Sequence, residues 1–295
     1  MRAMLVHARL FAAVAVGVVL GCGAPTSDTP PREVGPSATA APATPPTPVV
    51  PAPEGLPDAE ELLNASVVAL GGAEKIEAIT SYYSESEMNA SKLGLFGTAK
   101  TWWRAGDFYT ETSMPGVGLM RLGGLSGEVW GEDPINGLRA LSGVEAEQAR
   151  WSASLCLAHD WRRYFARAET KAVVERDGRR VAEIELTSRG GDLVTLRIDL
   201  ESKAPVSQTF KQANPLGDMP VTVSFGELRE VAGVKISFEQ QVDAALTQLS
   251  TRITKIEANV DVNPEIFAMP RAGERLHLPL SDEPPAVAPV PSDRP

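Results

Sequence analysis

The sequence predicts an α+β fold that is mainly antiparallel β, and three observations carry that reading. Asp177-Gly178 is a two-residue hairpin signal between strand-like runs, and Arg189-Gly190-Gly191-Asp192 and Val231-Ala232-Gly233 mark further turns. Val194, Leu196, Ile198 and Leu200 alternate with Thr195, Arg197 and Asp199, which buries one face of a strand and leaves the other wet. Helical spacing is confined to the front of the ordered region and one stretch in its middle. A long meander of this kind must curl, and its helices are the natural filler of the concave side.

The chain opens with Arg2 and Arg9 ahead of an apolar run from Leu10 to Leu20, too short to span a bilayer and laid out as a secretory signal peptide over residues 1–21. The run closes on Val19-Leu20-Gly21-Cys22, whose end resembles the lipobox of bacterial lipoproteins. That resemblance implies a diacylglycerol on the Cys22 thiol and cleavage before it. Two or three acyl chains on one cysteine hold a protein permanently, where one chain holds it only marginally. Gly23 resembles the sorting position of outer-membrane lipoproteins, so the expected location is the outer membrane, facing the periplasm.

Residues 22–57 are rich in Pro, Ala and Thr and cannot bury enough apolar surface to fold; they read as a disordered tether. At about 3.1 Å per residue in polyproline conformation, its reach is on the order of 100 Å. A second Pro-rich segment, residues 273–295, reads as a disordered tail. Between them, residues 58–272 have no internal linker and suit one domain with a substantial core.

That domain begins with a helix: Asp58 and Glu61 fit a capping pattern, Leu63, Val67 and Leu70 share a face, and Gly71-Gly72 stops it. Ala73 to Ile79 reads as a second short helical turn. From Ser81 the period becomes two, with strands around residues 81–92, 96–105 and 108–114 and shorter ones near 118–123 and 126–131. Ser142 and Glu145 open a further helix that runs to about Ala158, with Val144, Gln148, Trp151 and Leu155 in one stripe. Val221, Val223 and Phe225, then Val234, Ile236 and Phe238, then Leu249 and Ile253 continue the strand alternation.

The formal charge is −10, and about −12 once Arg2 and Arg9 leave with the signal. Such a body does not grip nucleic acid or lie flat on anionic lipid. With Cys22 lipidated, Cys156 has no disulfide partner, and stability rests on the core.

Cys156 and His159 form the one pair that invites an enzyme reading, since a thiolate beside imidazole is the nucleophile arrangement of cysteine hydrolases. The imidazole would need an orienting carboxylate, and on a continuous helix the adjacent Asp160 does not face it. A buried thiol and a helix-end histidine are the simpler reading. No metal site or cofactor cradle is legible. One folded-domain histidine and one cysteine cannot assemble a metal site, and Gly116, Gly118 and Gly123-Gly124 are turn glycines without a following helix. Glu85/Glu87 and Glu132/Asp133 read as solvated acids, and the expectation is a protein that is not an enzyme.

Ala69 to Ile76, Gly127-Glu128-Val129-Trp130-Gly131-Glu132-Asp133-Pro134, Leu228 to Val234 and Asn259 to Phe267 resemble outer-membrane lipoprotein-sorting proteins of the LolA-like superfamily. These are turn and strand signatures and specify fold better than function. The resemblance implies an incomplete β-barrel whose concave face, with helices packed in it, takes up a lipid or acyl chains. A chain fixed by Cys22 is no free shuttle, so LolB-like receptors and mycobacterial lipid-carrying lipoproteins are the nearer analogies. In that family three residues usually separate the Gly and Trp of the second motif. Here there are two, and a one-residue slip sends Trp130 to the opposite face.

Adjacent Trp102 and Trp103 point to opposite faces of a strand, and Trp103 shares its side with the small residues Ala99, Thr101 and Ala105. Trp103, Phe108 and Met120, with Trp151 and Leu155 approaching from the helix, are the expected lining of a ligand cavity. The alternative is a protein-binding sensor or scaffold module of the cell envelope, with an envelope protein as partner.

Overall fold

The computed structural model describes residues 55–213, 217–244 and 247–271. The expected signal peptide, Cys22, the tether up to residue 54 and the tail from residue 272 lie outside the described residues. Helices α1 (Ala59–Ala69) and α2 (Ala73–Ala78) come first, and Asp58 Oδ1 accepts the Glu61 N–H at 2.9 Å to cap α1. Strands β1 (Ser81–Ala90), β2 (Leu95–Arg104), β3 (Asp107–Met114), β4 (Gly118–Leu125), β5 (Glu128–Asp133) and β6 (Gly137–Leu141) follow as a meander. After α3 (Gly143–Ser152) and α4 (Leu157–Tyr164) comes a second meander: β7 (Phe165–Arg176), β8 (Arg179–Ser188), β9 (Leu193–Asp199), β10 (Pro205–Gln212), β11 (Met219–Val231), β12 (Val234–Ala244) and β13 (Thr247–Ala258).

All thirteen strands form one antiparallel open sheet, in the order β6-β5-β4-β3-β2-β1-β13-β12-β11-β10-β9-β8-β7. The β1–β13 pairing joins the two meanders, with Tyr82 opposite Ala258 and Met88 opposite Thr251. The free edges are therefore β6 and β7, consecutive in sequence and at opposite ends of the sheet. Only α3 and α4 connect them, so this crossing carries both helices over one face. Tyr82, Met88, Ala99, Ile184, Leu196, Phe210, Val223, Ile236 and Leu249 stand on that inner face and pack in one core with Leu63, Val67, Trp151 and Trp161 of the helices.

The outer face has its own cover. After β13 the chain folds back, and Val262 and Phe267 pack on Tyr109 and Trp130. Trp130 donates its indole N–H to the Phe267 carbonyl at 2.9 Å. Gly123 is required beneath it, since a Cβ there would come within 2.4 Å of the indole.

Two features differ from the sequence expectation. The strand β6 carries no alternation strong enough to announce it. The helix from Ser142 also does not reach Ala158: α3 ends at Ser152, Cys156 is extended (φ −145°, ψ 100°), and α4 starts anew. The break buries Leu155 and Cys156, and Ser154 Oγ donates to Asp160 Oδ2 at 2.7 Å at the start of α4. The Ser142 side chain makes no capping bond, and Glu145 is instead held by the Arg139 guanidinium.

Candidate ligand-binding face

Trp103 lies on the inner face, half-buried, its ring stacked on Tyr82 at 5.4 Å and 12°. Trp102 points outward, between Tyr83 and Tyr109. Met120, Trp151 and Leu155 are buried in the main core, and Trp151 meets Phe210 edge-on at 4.9 Å. Phe108 belongs to a smaller cluster with Leu122, Val129, Ala146 and Ala149 under α3, against which Trp103 also packs. Helices and sheet thus bring the five residues to one side of the molecule, in close packing.

Among these apolar groups stand buried polar atoms with no partner. The Nε2 groups of Gln208, Gln212 and Gln240 and the Trp103 indole N–H are buried and find no acceptor among the described residues. The glutamines are 1%, 2% and 5% exposed. A buried donor left unpaired costs about 1–3 kcal/mol, so this is an unusual set for one interior. Strand alternation could have pointed to them, because Gln240 falls on the same side of β12 as Ile236 and Phe238. A polar residue in an apolar row is easily read as an edge or an end of the pattern.

Two hollows lie outside this packed interior. One, of about 910 Å³, lies across the end of β1, the start of β2 and the bodies of β11–β13. Phe96, Asn89, Gln241 and Arg252 border it, on the side of their strands away from the helices, and Phe96 is 63% exposed. The second, of about 350 Å³, borders Phe108, Arg150, Arg163 and Tyr164.

The Cys156–His159 pair reads differently in the structure than on a continuous helix. His159 and Asp160 are neighbours within α4, and Asp160 Oδ1 lies 2.7 Å from His159 Nδ1, contrary to the expectation that it would face away. His159 Nε2 lies 3.2 Å from Glu77 Oε1 on α2. Both ring nitrogens are engaged by carboxylates, so no ring nitrogen is left to accept a thiol proton. Burial works to lower the His159 pKa, but the hydrogen bonds to Asp160 and Glu77 outweigh it and hold it above the ordinary value. The imidazole thus bridges α2 and α4. Among the described residues no cluster of three or more metal-ligating side chains occurs, and no helix is long and apolar enough to cross a membrane.

Solved structures share this architecture. A LolA superfamily protein from Nitrosomonas europaea aligns with a TM-score of 0.50 at 13% identity, over 72% of this chain and 98% of the other. A DUF1329 family protein from Desulfovibrio piger aligns with a TM-score of 0.50 at 12% identity, over 72% and 97%. An outer membrane lipoprotein-sorting protein domain from Vibrio parahaemolyticus reaches 0.47 at 11% identity, over 71% and 97%. No family model and no curated protein matches the sequence. The relationship is one of structure: this chain has the LolA-like incomplete-barrel fold, an open antiparallel sheet with few helices.

Proposed function

We propose that the protein is a non-enzymatic lipoprotein of the bacterial envelope, anchored through Cys22, that binds a lipid or acyl chains between its helical layer and the inner face of the half-barrel. Trp103, Phe108, Met120, Trp151 and Leu155 line the space that opens when the helices move. The observation that supports this reading most is the set of unpaired donors on Gln208, Gln212, Gln240 and Trp103, all inside the apolar interior. A finished core does not keep such groups; a face that receives an amphipathic guest uses them on its ester or carboxyl oxygens. Each acyl methylene buried there contributes about 0.8 kcal/mol.

Native mass spectrometry of protein purified without harsh detergent tests this. Co-purifying lipid is the expected result. An empty protein that also ignores fluorescent fatty acyl probes overturns it.

The outer hollow favours a second reading, a sensor or scaffold that docks an envelope protein over exposed Phe96. A photo-crosslinker at position 96 that traps one polypeptide in cells would support it, and its failure to trap any would remove it.

A further inference from the structure

At the end of the inner face, the β2–β3 and β4–β5 turns meet the C-terminus of α4 around the hollow of about 350 Å³. Its walls differ in charge. Arg150, Arg163 and Tyr164 come from the helices, and Asp107 and Glu128 from the strands beside the turns. Arg150 Nη1 donates to the Gly127 carbonyl at 2.7 Å, which fixes its guanidinium across the opening. The Arg163 guanidinium lies 5.5 Å from the centre of the Tyr164 ring. Gly106, at φ +100°, makes room for it: a Cβ there would come within 2.9 Å of Arg163 Nη2.

Several guanidiniums of this acidic chain meet carboxylates, Arg121 with Glu111 and Glu132, Arg139 with Glu145 and Arg197 with Glu183, while Arg104 and Arg189 donate to backbone carbonyls. Neither Arg150 nor Arg163 has an ion pair among the described residues, although both border one hollow. Two guanidiniums and a phenol converging on one space suit a phosphate, which takes charge-assisted bonds from several donors at once. Burial raises the Tyr164 pKa, so its hydroxyl keeps its proton and remains a donor. Carboxylates beside the same space would repel a bare phosphate but hold an ammonium attached to it. Phe108 on the hollow's floor belongs to the apolar cluster beneath α3, which continues toward Trp103.

Building on the lipid-binding reading, we propose that this hollow holds the headgroup of an ammonium-bearing phospholipid. Its phosphate sits on Arg150, Arg163 and Tyr164, its ammonium on Asp107 and Glu128, and its chains run past Phe108 under α3. The phosphate and the ammonium together are the recognised chemistry, and the same pair on a soluble molecule would satisfy the same walls.

The test is calorimetric titration of the full chain carrying Cys22→Ser, with three probes. They are dihexanoyl phosphatidylethanolamine below its micelle concentration, dihexanoylglycerol, and O-phosphoethanolamine. The phospholipid should bind at least about tenfold more tightly than the diacylglycerol, as expected for charged hydrogen bonds. Arg163→Glu and Glu128→Lys should each erase that margin and leave diacylglycerol binding unchanged. Both side chains are exposed, so thermal unfolding of these variants should match the parent. Equal binding of the two lipids would overturn the headgroup site while leaving the lipid reading intact. Arg163-dependent binding of O-phosphoethanolamine with no binding of either lipid would overturn the lipid reading and assign the hollow to a soluble phosphate. Binding of none of the three would overturn both.

Discussion

On the outer face of the sheet Trp130 gives its indole N–H to the Phe267 carbonyl at 2.9 Å, while on the inner face Trp103 stacks on Tyr82 and its N–H meets no acceptor. The same contrast holds more widely. The segment after β13 closes over Tyr109 and Trp130, and its Val260 carbonyl accepts from Ser81 Oγ at 2.5 Å. The helices close over a face that still holds three unpaired glutamine amides. One cover is finished structure. The other leaves buried donors unmatched, the feature on which the proposed lipid binding rests.

Substitutions can break or sharpen that difference. Trp130→Ala should have the largest effect, about 3–5 kcal/mol of lost stability by urea unfolding, with little change in acyl-probe affinity of the folded fraction. Gly123→Ala should cost about 1–3 kcal/mol, since the added methyl meets the Trp130 ring rather than open space. On the inner face the sign should reverse: Gln240→Met removes an unpaired donor at similar volume and should raise stability by about 1 kcal/mol while weakening acyl-probe binding several-fold. A loss of stability from Gln240→Met would mean that the amide is already satisfied, and the contrast between the faces would go with it.

The smallest effect concerns pH. The folded-state pKa of His159 is raised, so its stabilising contribution is complete below the ordinary value of 6.5 and disappears as pH rises through the higher folded value. His159→Gln should flatten the stability profile across that window and leave the rest of the curve unchanged. A profile unaltered by the substitution would show that the Glu77–His159–Asp160 link does not hold α2 to α4.

Much of the sheet was legible because its signals are local. The alternations at Val194–Leu200 and Val221–Phe225 mark β9 and β11, and Asp177-Gly178 is the β7–β8 turn. The β1–β13 pairing was not legible from pattern, because nothing in Tyr82 or Ala258 names a partner so far along the chain. The break between α3 and α4 also escaped, since Ala153, Ser154 and Leu155 include neither Gly nor Pro and the helical stripe runs on through Leu155. The orphan glutamines and the Arg150–Arg163 hollow depend on which turns meet which helix ends, so they belong to tertiary structure alone.

If the protein binds lipid as proposed, the edge-to-edge crossing also bears on cargo size. Because β6 and β7 are the far margins of one sheet and the chain between residues 141 and 165 ties them together, α3 and α4 work like a strap across an open bowl. The strap sets how far the bowl may gape before its own helical hydrogen bonds must unravel. A loop spliced in at residues 153–156 would slacken it, and bulkier molecules should then be admitted with every wall residue left as it was.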